Sequence, residues 1–227
     1  MINFKQLVEG VYDPNIFKAF FLAGGPGSGK SFVVRKTTGG LGMKIVNSDT
    51  AFEKLLKDAD IDLDFRDMSP ERTLERDKIR KRAKEVTDKM KSNFVAGRLG
   101  MIIDGTGSEY GKIEKQVKML QQLGYDTHMI FVNTSLDTAI ERNNKRDRKL
   151  PLDIVKTYWN NVQSNIGKFQ RLFGRKNFIV VDNNNAKEDV FLKVFKSVRK
   201  LANKKVSNYI AKQWIDNQLR LKKIMGS

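Results

Sequence analysis

The sequence predicts an α/β fold, a parallel sheet covered by helices on both faces, and three observations carry that reading. Five apolar runs of about strand length recur along the chain: Ala19–Ala23, Met43–Asn47, Met101–Asp104, His128–Asn133 and Phe178–Asp182. Between them lie longer segments whose apolar residues keep helical spacing, and strands that alternate with helices pair in parallel with both faces covered. The first run leads directly into the glycine-rich segment Gly24–Ser31, a turn between strand and helix. The chain has 227 residues, 40% of them hydrophobic, which suits one domain with a sizeable core and an appendage.

Composition excludes several chemistries. The chain has no cysteine and one histidine, His128, which argues against a disulfide scaffold, a Cys- or His-rich metal site, a cysteine nucleophile and a Ser-His-Asp hydrolase. His128 lies in an apolar run and reads as a core residue. The net charge of +17 favours contact with polyanions such as nucleotides or nucleic acid, without choosing among them. No long apolar run follows Met1–Lys5, so no signal peptide is expected. No stretch approaches ~20 apolar residues, so no membrane span is expected. The expected setting is cytoplasmic.

The first helix starts near Lys30, just after the glycines. Asn47-Ser48-Asp49 closes the second run, and a short helix follows over Thr50–Leu56. Residues 55–98 interrupt the alternation. Asp58–Met68 is acidic and irregular; Ser69 as cap and Pro70 at the first position then open a helix to about Asn93. That helix is dense in charge. It reads either as a solvated flank or as a basic rim facing substrate. Ile113, Val117, Leu120 and Leu123 share one face of the next helix, and Gly124 is placed to end it. Leu136, Ala139 and Ile140 mark another. Pro151 precedes the helix of Leu152, Val155, Tyr158, Trp159 and Val162. Beyond Asn185 the balance changes: residues 186–227 hold 11 Lys+Arg against 3 Asp+Glu. Phe191, Val194, Phe195, Val198, Leu201 and Ala202 keep helical spacing there. This is a basic amphipathic helix, either docked on the core or an arm for nucleic acid or a partner.

Gly24-Gly25-Pro26-Gly27-Ser28-Gly29-Lys30-Ser31 fits G-x-x-x-x-G-K-[ST], between a strand and a helix. Glycines let successive backbone N–H groups curl around a phosphate, and the helix N-terminus adds partial positive charge. Lys30 would reach the β- and γ-oxygens and the Ser31 hydroxyl would ligate Mg²⁺. The expected ATP-binding residues run from Gly24 to Phe32.

In a parallel sheet the C-terminal ends of the strands open onto the ligand crevice. Asp49 would lie there beside the γ-phosphate, as a base for an attacking hydroxyl, or would cap the following helix. Asp104 ends the third strand in the same crevice, where it would support Mg²⁺ through water, hold a substrate hydroxyl, or turn the chain. Thr106 would bind substrate or serve the turn. Arg142, Arg146 and Arg148 cluster, with Arg142 and Arg146 at i,i+4 spacing on one helix face. They read as a phosphate clamp or as a solvated charge run.

With these residues in place, the chain resembles P-loop kinases of the zeta-toxin and polynucleotide-kinase-like group. The resemblance rests on Gly24–Ser31, on Asn-Ser-Asp-Thr-Ala-Phe at Asn47–Phe52, and on Ile103–Gly107 followed by Met119–Tyr125. It covers about residues 18–182. It implies a P-loop NTPase three-layer sandwich with a five-stranded parallel sheet and ATP at the loop. It also implies a base at Asp49 and an acidic substrate ligand at Asp104, where zeta toxins usually carry Glu. Arg142 and Arg148 fall where that family places ATP-contacting arginines. Zeta toxins phosphorylate UDP-N-acetylglucosamine. Two positions depart from the relatives: Ser108 stands where zeta toxins carry an arginine, and Phe52 where polynucleotide kinases carry one. In overall style the chain is also similar to kinases encoded by tailed bacteriophages.

The expected organisation is a kinase domain over 1–185, with a lid at about 135–151, and a basic helical extension over 186–227. The expected activity is ATP- and Mg²⁺-dependent transfer to a hydroxyl of a small-molecule acceptor, sugar-nucleotide or nucleoside-like. Lys30, Asp49 and the three arginines are its catalytic set, and Asp49, Asp104 and Thr106 its acceptor contacts. Weak nucleic-acid contact through the extension is a secondary expectation. The rivals are a polynucleotide 5′-hydroxyl kinase and a nucleotide-binding regulatory module without turnover.

Overall fold

The computed structural model describes residues 10–66 and 68–225. The Met1–Lys5 opening lies outside the described residues, as do Asp67 of the acidic stretch and the final Gly226-Ser227. All five apolar runs are strands: β1 (Lys18–Ala23), β2 (Lys44–Val46), β3 (Met101–Asp104), β4 (Asp126–Asn133) and β5 (Phe178–Asp182). They form one all-parallel sheet in the order β2-β3-β1-β4-β5. β1 is central and buried at every residue. β4 starts two residues before the apolar run, because Asp126 pairs in register with Lys18 and joins it in a 2.5 Å ion pair.

Eight α-helices surround the sheet among the described residues: α1 (Lys30–Thr38), α2 (Ser48–Asp58), α3 (Pro70–Ala96), α4 (Tyr110–Gln122), α5 (Leu136–Lys145), α6 (Leu152–Phe173), α7 (Glu188–Ala202) and α8 (Tyr209–Met225). The alternation of a strand divides β1 between two cores. Ala19, Phe21 and Ala23 pack with Ile113, Val117 and Leu120 of α4, Val162 and Phe169 of α6, and Ala211 of α8. Phe20 and Leu22 pack with Val33 and Val34 of α1 and with Phe191, Val194 and Val198 of α7. The result is the three-layer P-loop NTPase sandwich. The basic C-terminal segment therefore supplies core residues from both of its helices. Its charge lies outward: Lys193, Lys196, Arg199 and Lys200 are exposed.

Local signals set the helix ends. The Ser69 hydroxyl accepts from the Arg72 N–H at 3.3 Å, with Pro70 in the first turn. After α4, the N–H of Gly124 reaches the Gln121 carbonyl and that of Tyr125 the Leu120 carbonyl, a Schellman ending with Gly124 at φ 95°. The interruption at 55–98 becomes a helical pair beyond the β2 edge. α2 and α3 enclose a third small core of Phe52, Leu56, Ile61, Phe65 and Ala83. Of α3 only Ala83 and Thr87 are buried; most of its surface is solvated. No described helix is long and apolar enough to cross a membrane.

Candidate active site

At the C-terminal ends of β1 and β3 lies a cleft of about 440 Å³, within the usual range for a small-ligand site. One wall is the loop between β1 and α1. Gly27 and Gly29 sit at φ 76° and 80°, a region that favours glycine. A side chain at Gly27 would also run into the Ala139 backbone, and one at Gly29 into Asn183. α1 starts at Lys30 with Gly29 as its N-cap residue and no side-chain cap, which leaves first-turn N–H groups for an anion. Lys30 Nζ donates to the Gly24 carbonyl at 2.7 Å. Burial pushes its pKa down, opposed by the charges of Asp104 and Asp49. The Gly24 N–H in turn bonds the Thr106 carbonyl at 2.9 Å, which ties the loop to the end of β3.

Gly25, Pro26, Gly27, Ser28, Gly29, Lys30 and Ser31 line the cleft. Phe32 turns away: its ring meets Phe191 edge-on at 5.2 Å. Asn183, just past β5, is buried and braces the loop by donating from Nδ2 to the Ser28 carbonyl at 2.8 Å. In the sequence Asn183 lies two residues before the change in charge at Asn185. Its signal was its position at a strand end of a parallel sheet.

Asp49, Asp104 and Thr106 all line this cleft. Asp49 is not the cap of α2. Asn47 is: its side chain accepts from the Asp49 N–H at 2.7 Å. An Asx side chain one residue before the first helical position reaches that amide more directly than Asp49, already inside the first turn. The Asp49 carboxylate is free to pair with guanidiniums instead. Oδ1 accepts from Arg80 Nη1 at 2.6 Å and Oδ2 from Arg148 Nη2 at 3.0 Å. Burial raises its pKa, but hydrogen bonds and charge from Arg148 and Arg80 outweigh this and hold the carboxyl well below the usual carboxylate range. Asp104 behaves oppositely. Burial pushes it up, with the Lys30 charge only partly offsetting this. Its Oδ2 accepts from Asn47 Nδ2 at 2.8 Å, while its Oδ1 is buried and unpartnered among the described residues. Thr106 Oγ1 shares a 2.9 Å hydrogen bond with Ser108 Oγ, at the position where zeta toxins carry an arginine.

Arg142, Arg146 and Arg148 converge on the same cleft, but not as one helix face. α5 ends at Lys145, and Arg146 has an extended backbone, ψ 160°. The helix stops because the Asn143 side chain folds the following loop back. It donates to the Leu150 carbonyl at 2.9 Å and accepts from the Leu150 N–H at 3.2 Å. Arg142 Nη2 bonds the Asn184 carbonyl at 3.0 Å, and Arg148 Nη1 lies 3.3 Å from Glu53. Among the described residues, each of the three arginines keeps a buried guanidinium nitrogen without a hydrogen-bond partner, a donor that an anion could use.

The α2–α3 wall was the part least foreseen. Phe52 and Phe65 line it with Arg76, Asp77 and Arg80 of α3. The Arg80 guanidinium lies over the Phe52 ring at 4.7 Å, and that of Arg76 over Phe65 at 5.3 Å. α3 thus turns Arg76 and Arg80 to the cleft and leaves most of its other charges in solvent. The helical i,i+4 arginine pair of this cleft is Arg76 and Arg80.

A family model described as an AAA domain (AAA_33) matches residues 20–169. Among curated proteins, no sequence matches. Solved structures share the fold. The AvrRxo1-ORF1:AvrRxo1-ORF2 complex with sulphate ions is similar over 84% of this chain and 68% of that chain, at 12% identity and TM-score 0.59. The same complex with ATP gives 84%, 69%, 13% and 0.56. A gluconokinase from Sinorhizobium meliloti 1021 is similar over 82% of this chain and 94% of its own, at 13% identity and TM-score 0.50. A structure of the PezAT chromosomal toxin-antitoxin system of Streptococcus pneumoniae covers 97% of both chains, at 13% identity and TM-score 0.51.

Proposed function

This chain belongs to the AAA domain family, and from its loop and cleft we propose that it is an ATP-dependent phosphotransferase acting on a hydroxyl of a small sugar-nucleotide or nucleoside-like acceptor. One observation carries the proposal. A single cleft holds a phosphate loop with its lysine, a carboxylate at a strand end and three convergent arginines with unpartnered nitrogens. Fold neighbours that include a gluconokinase and a complex with ATP support it.

In this reading the loop from Gly24 holds the ATP phosphates on backbone N–H groups, and Lys30 leaves the Gly24 carbonyl for the β- and γ-oxygens. The acceptor hydroxyl gives its proton to Asp49 while its oxygen bonds the γ-phosphorus. The bond from that phosphorus to the bridging oxygen breaks, and ADP leaves with the electron pair. Arg142, Arg146 and Arg148 offset the charge on the oxygens of the moving group, with 135–151 as lid. Ser31 and Asp104 fit a Mg²⁺ ion. Asp104 offers a buried, unpartnered oxygen, and this ion takes few protein ligands when phosphates supply the rest. Bound there, it would offset phosphate charge. Thr106 contacts the acceptor. The exposed lysines of α7 give at most weak, salt-sensitive nucleic-acid contact.

The test is a γ-labelled ATP screen over sugar nucleotides, nucleosides, simple polyols and 5′-hydroxyl oligonucleotides, with wild type and Asp49→Asn. Label on a small acceptor, lost in Asp49→Asn, is the expected result. Label on oligonucleotides alone would replace the small acceptor with a polynucleotide end. Bound ATP without label on any acceptor would favour a regulatory module.

A further inference from the structure

We propose that Arg80 is an acceptor-side gate on Asp49: it holds that carboxylate in an ion pair until an anionic group carried by the acceptor takes its place. The inference rests on the phosphotransferase reading, and it narrows the acceptor to hydroxyl compounds that carry a negative charge.

The geometry has three parts. First, Arg80 rests on an aromatic platform, its guanidinium over Phe52 at 4.7 Å. Stacking holds a guanidinium in place without using its N–H donors. Second, the fork is underused. Among the described residues only Nη1 has a hydrogen-bond partner, and that partner is Asp49. A guanidinium carries five donors, so most of the fork remains for an anion. Third, Arg76 brings a second guanidinium to the same wall, over Phe65 at 5.3 Å.

Asp49 itself argues that the pair must open. Arg80 faces it from α3 and Arg148 from the loop after α5. Lys30 of α1, Arg146 of the lid loop and Asp104 at the end of β3 also act on it through their charges, and Glu53 of its own helix shares Arg148. A carboxylate that accepts from two guanidiniums is a poor proton acceptor. ATP phosphates can draw Arg148 away, since it belongs to the convergent arginine cluster. Arg80 stands apart from that cluster, on the α3 wall beside Phe52. A neutral hydroxyl cannot compete with a carboxylate for a guanidinium, whereas an anion can. The Arg80 and Asp49 side chains are 34% and 38% exposed, so their pair is weak enough to exchange. Asp49 becomes a base only when both substrates are present, and water is a poor substitute for the acceptor.

The full chain is tested as wild type, Arg80→Ala and Arg80→Lys, with exposed Arg82→Ala as a control from the same helix. Inorganic phosphate is titrated calorimetrically into protein saturated with a non-hydrolysable ATP analogue, and ATP hydrolysis is followed without acceptor. Arg80→Ala is expected to weaken phosphate binding at least about tenfold and to raise acceptor-free hydrolysis about three- to tenfold. Lys should restore part of both, and Arg82→Ala should match wild type. A gain in hydrolysis is not what simple loss of packing on Phe52 would give. Unchanged phosphate binding and hydrolysis in Arg80→Ala overturn the gate. Lost phosphate binding without faster hydrolysis also overturns it and leaves a bare anion subsite. Failure of wild type to bind the ATP analogue is a different result: it removes the phosphotransferase reading, and the gate with it.

Discussion

The two walls of the cleft are built by different means. The loop wall is eight consecutive residues, Gly24–Ser31, fixed by positive-φ glycines, backbone hydrogen bonds and the buried brace from Asn183. The α2–α3 wall collects Asp49, Phe52, Phe65, Arg76, Asp77 and Arg80 from three segments. Half-exposed ion pairs and cation–π contacts hold it. A phosphate is the same in every nucleotide, so a backbone cradle suits it. An acceptor varies, and side chains on a solvated helix can be exchanged without disturbing the core. The difference predicts that substitutions in the first wall act on nucleotide use, and those in the second on acceptor activation.

The largest effect is expected at the junction of the walls. Asp49→Asn keeps the shape but removes the base, so transfer should fall about 10²–10⁴-fold in single-turnover assays. Its stability should change little, because half-exposed ion pairs contribute only about 0–1 kcal/mol. Lys30→Met removes the charge that follows the migrating phosphoryl group, and transfer should fall about 10²–10³-fold. Transfer near the wild-type rate would show that the loop wall is a glycine turn with an incidental lysine. Arg148→Lys keeps charge but loses the fork, and a drop of about tenfold, mainly in kcat, is expected; unchanged kinetics would reduce the arginine to surface charge.

The smallest effect on transfer belongs to His128, far from either wall. Burial pushes its imidazole down from 6.5 to about 4. Below pH 6.5 the unfolded chain gains a proton that the folded chain refuses, so stability should fall as pH drops from 6.5 to about 4 and level off beneath. The contribution is on the order of 3 kcal/mol. Melting curves of wild type and His128→Asn across that window should differ in slope, with transfer at pH 7 near wild type in both. Parallel curves would place the imidazole in water.

The sheet was legible because central parallel strands are nearly continuous apolar runs; β1 is buried at all six residues. The start of β4 was not, since Asp126-Thr127 is polar and its place in the sheet depends on β1, where Asp126 pairs with Lys18. The loop wall was legible because its function needs consecutive residues. Asp49 and Asp104 followed from the rule that strand ends open on the crevice. Arg80 was hidden in a helix where every turn carries charge. Its one signal was the row Arg76, Arg80, Ala83, Thr87, three or four residues apart, whose last two members are buried. The run Arg142–Arg148 was legible as a cluster but not in its shape, because the side chain of Asn143 and the backbone of Leu150 end the helix.

The most direct test of the two-wall account is the ATP affinity of Asp49→Asn, measured by calorimetry on the same samples whose transfer is assayed. The account predicts ATP binding within about threefold of wild type alongside loss of transfer, since the base acts on the acceptor and only in the transition state. ATP affinity that falls in step with transfer, or transfer that survives while the protein loses stability, would contradict it and make Asp49 part of the nucleotide site or of the fold.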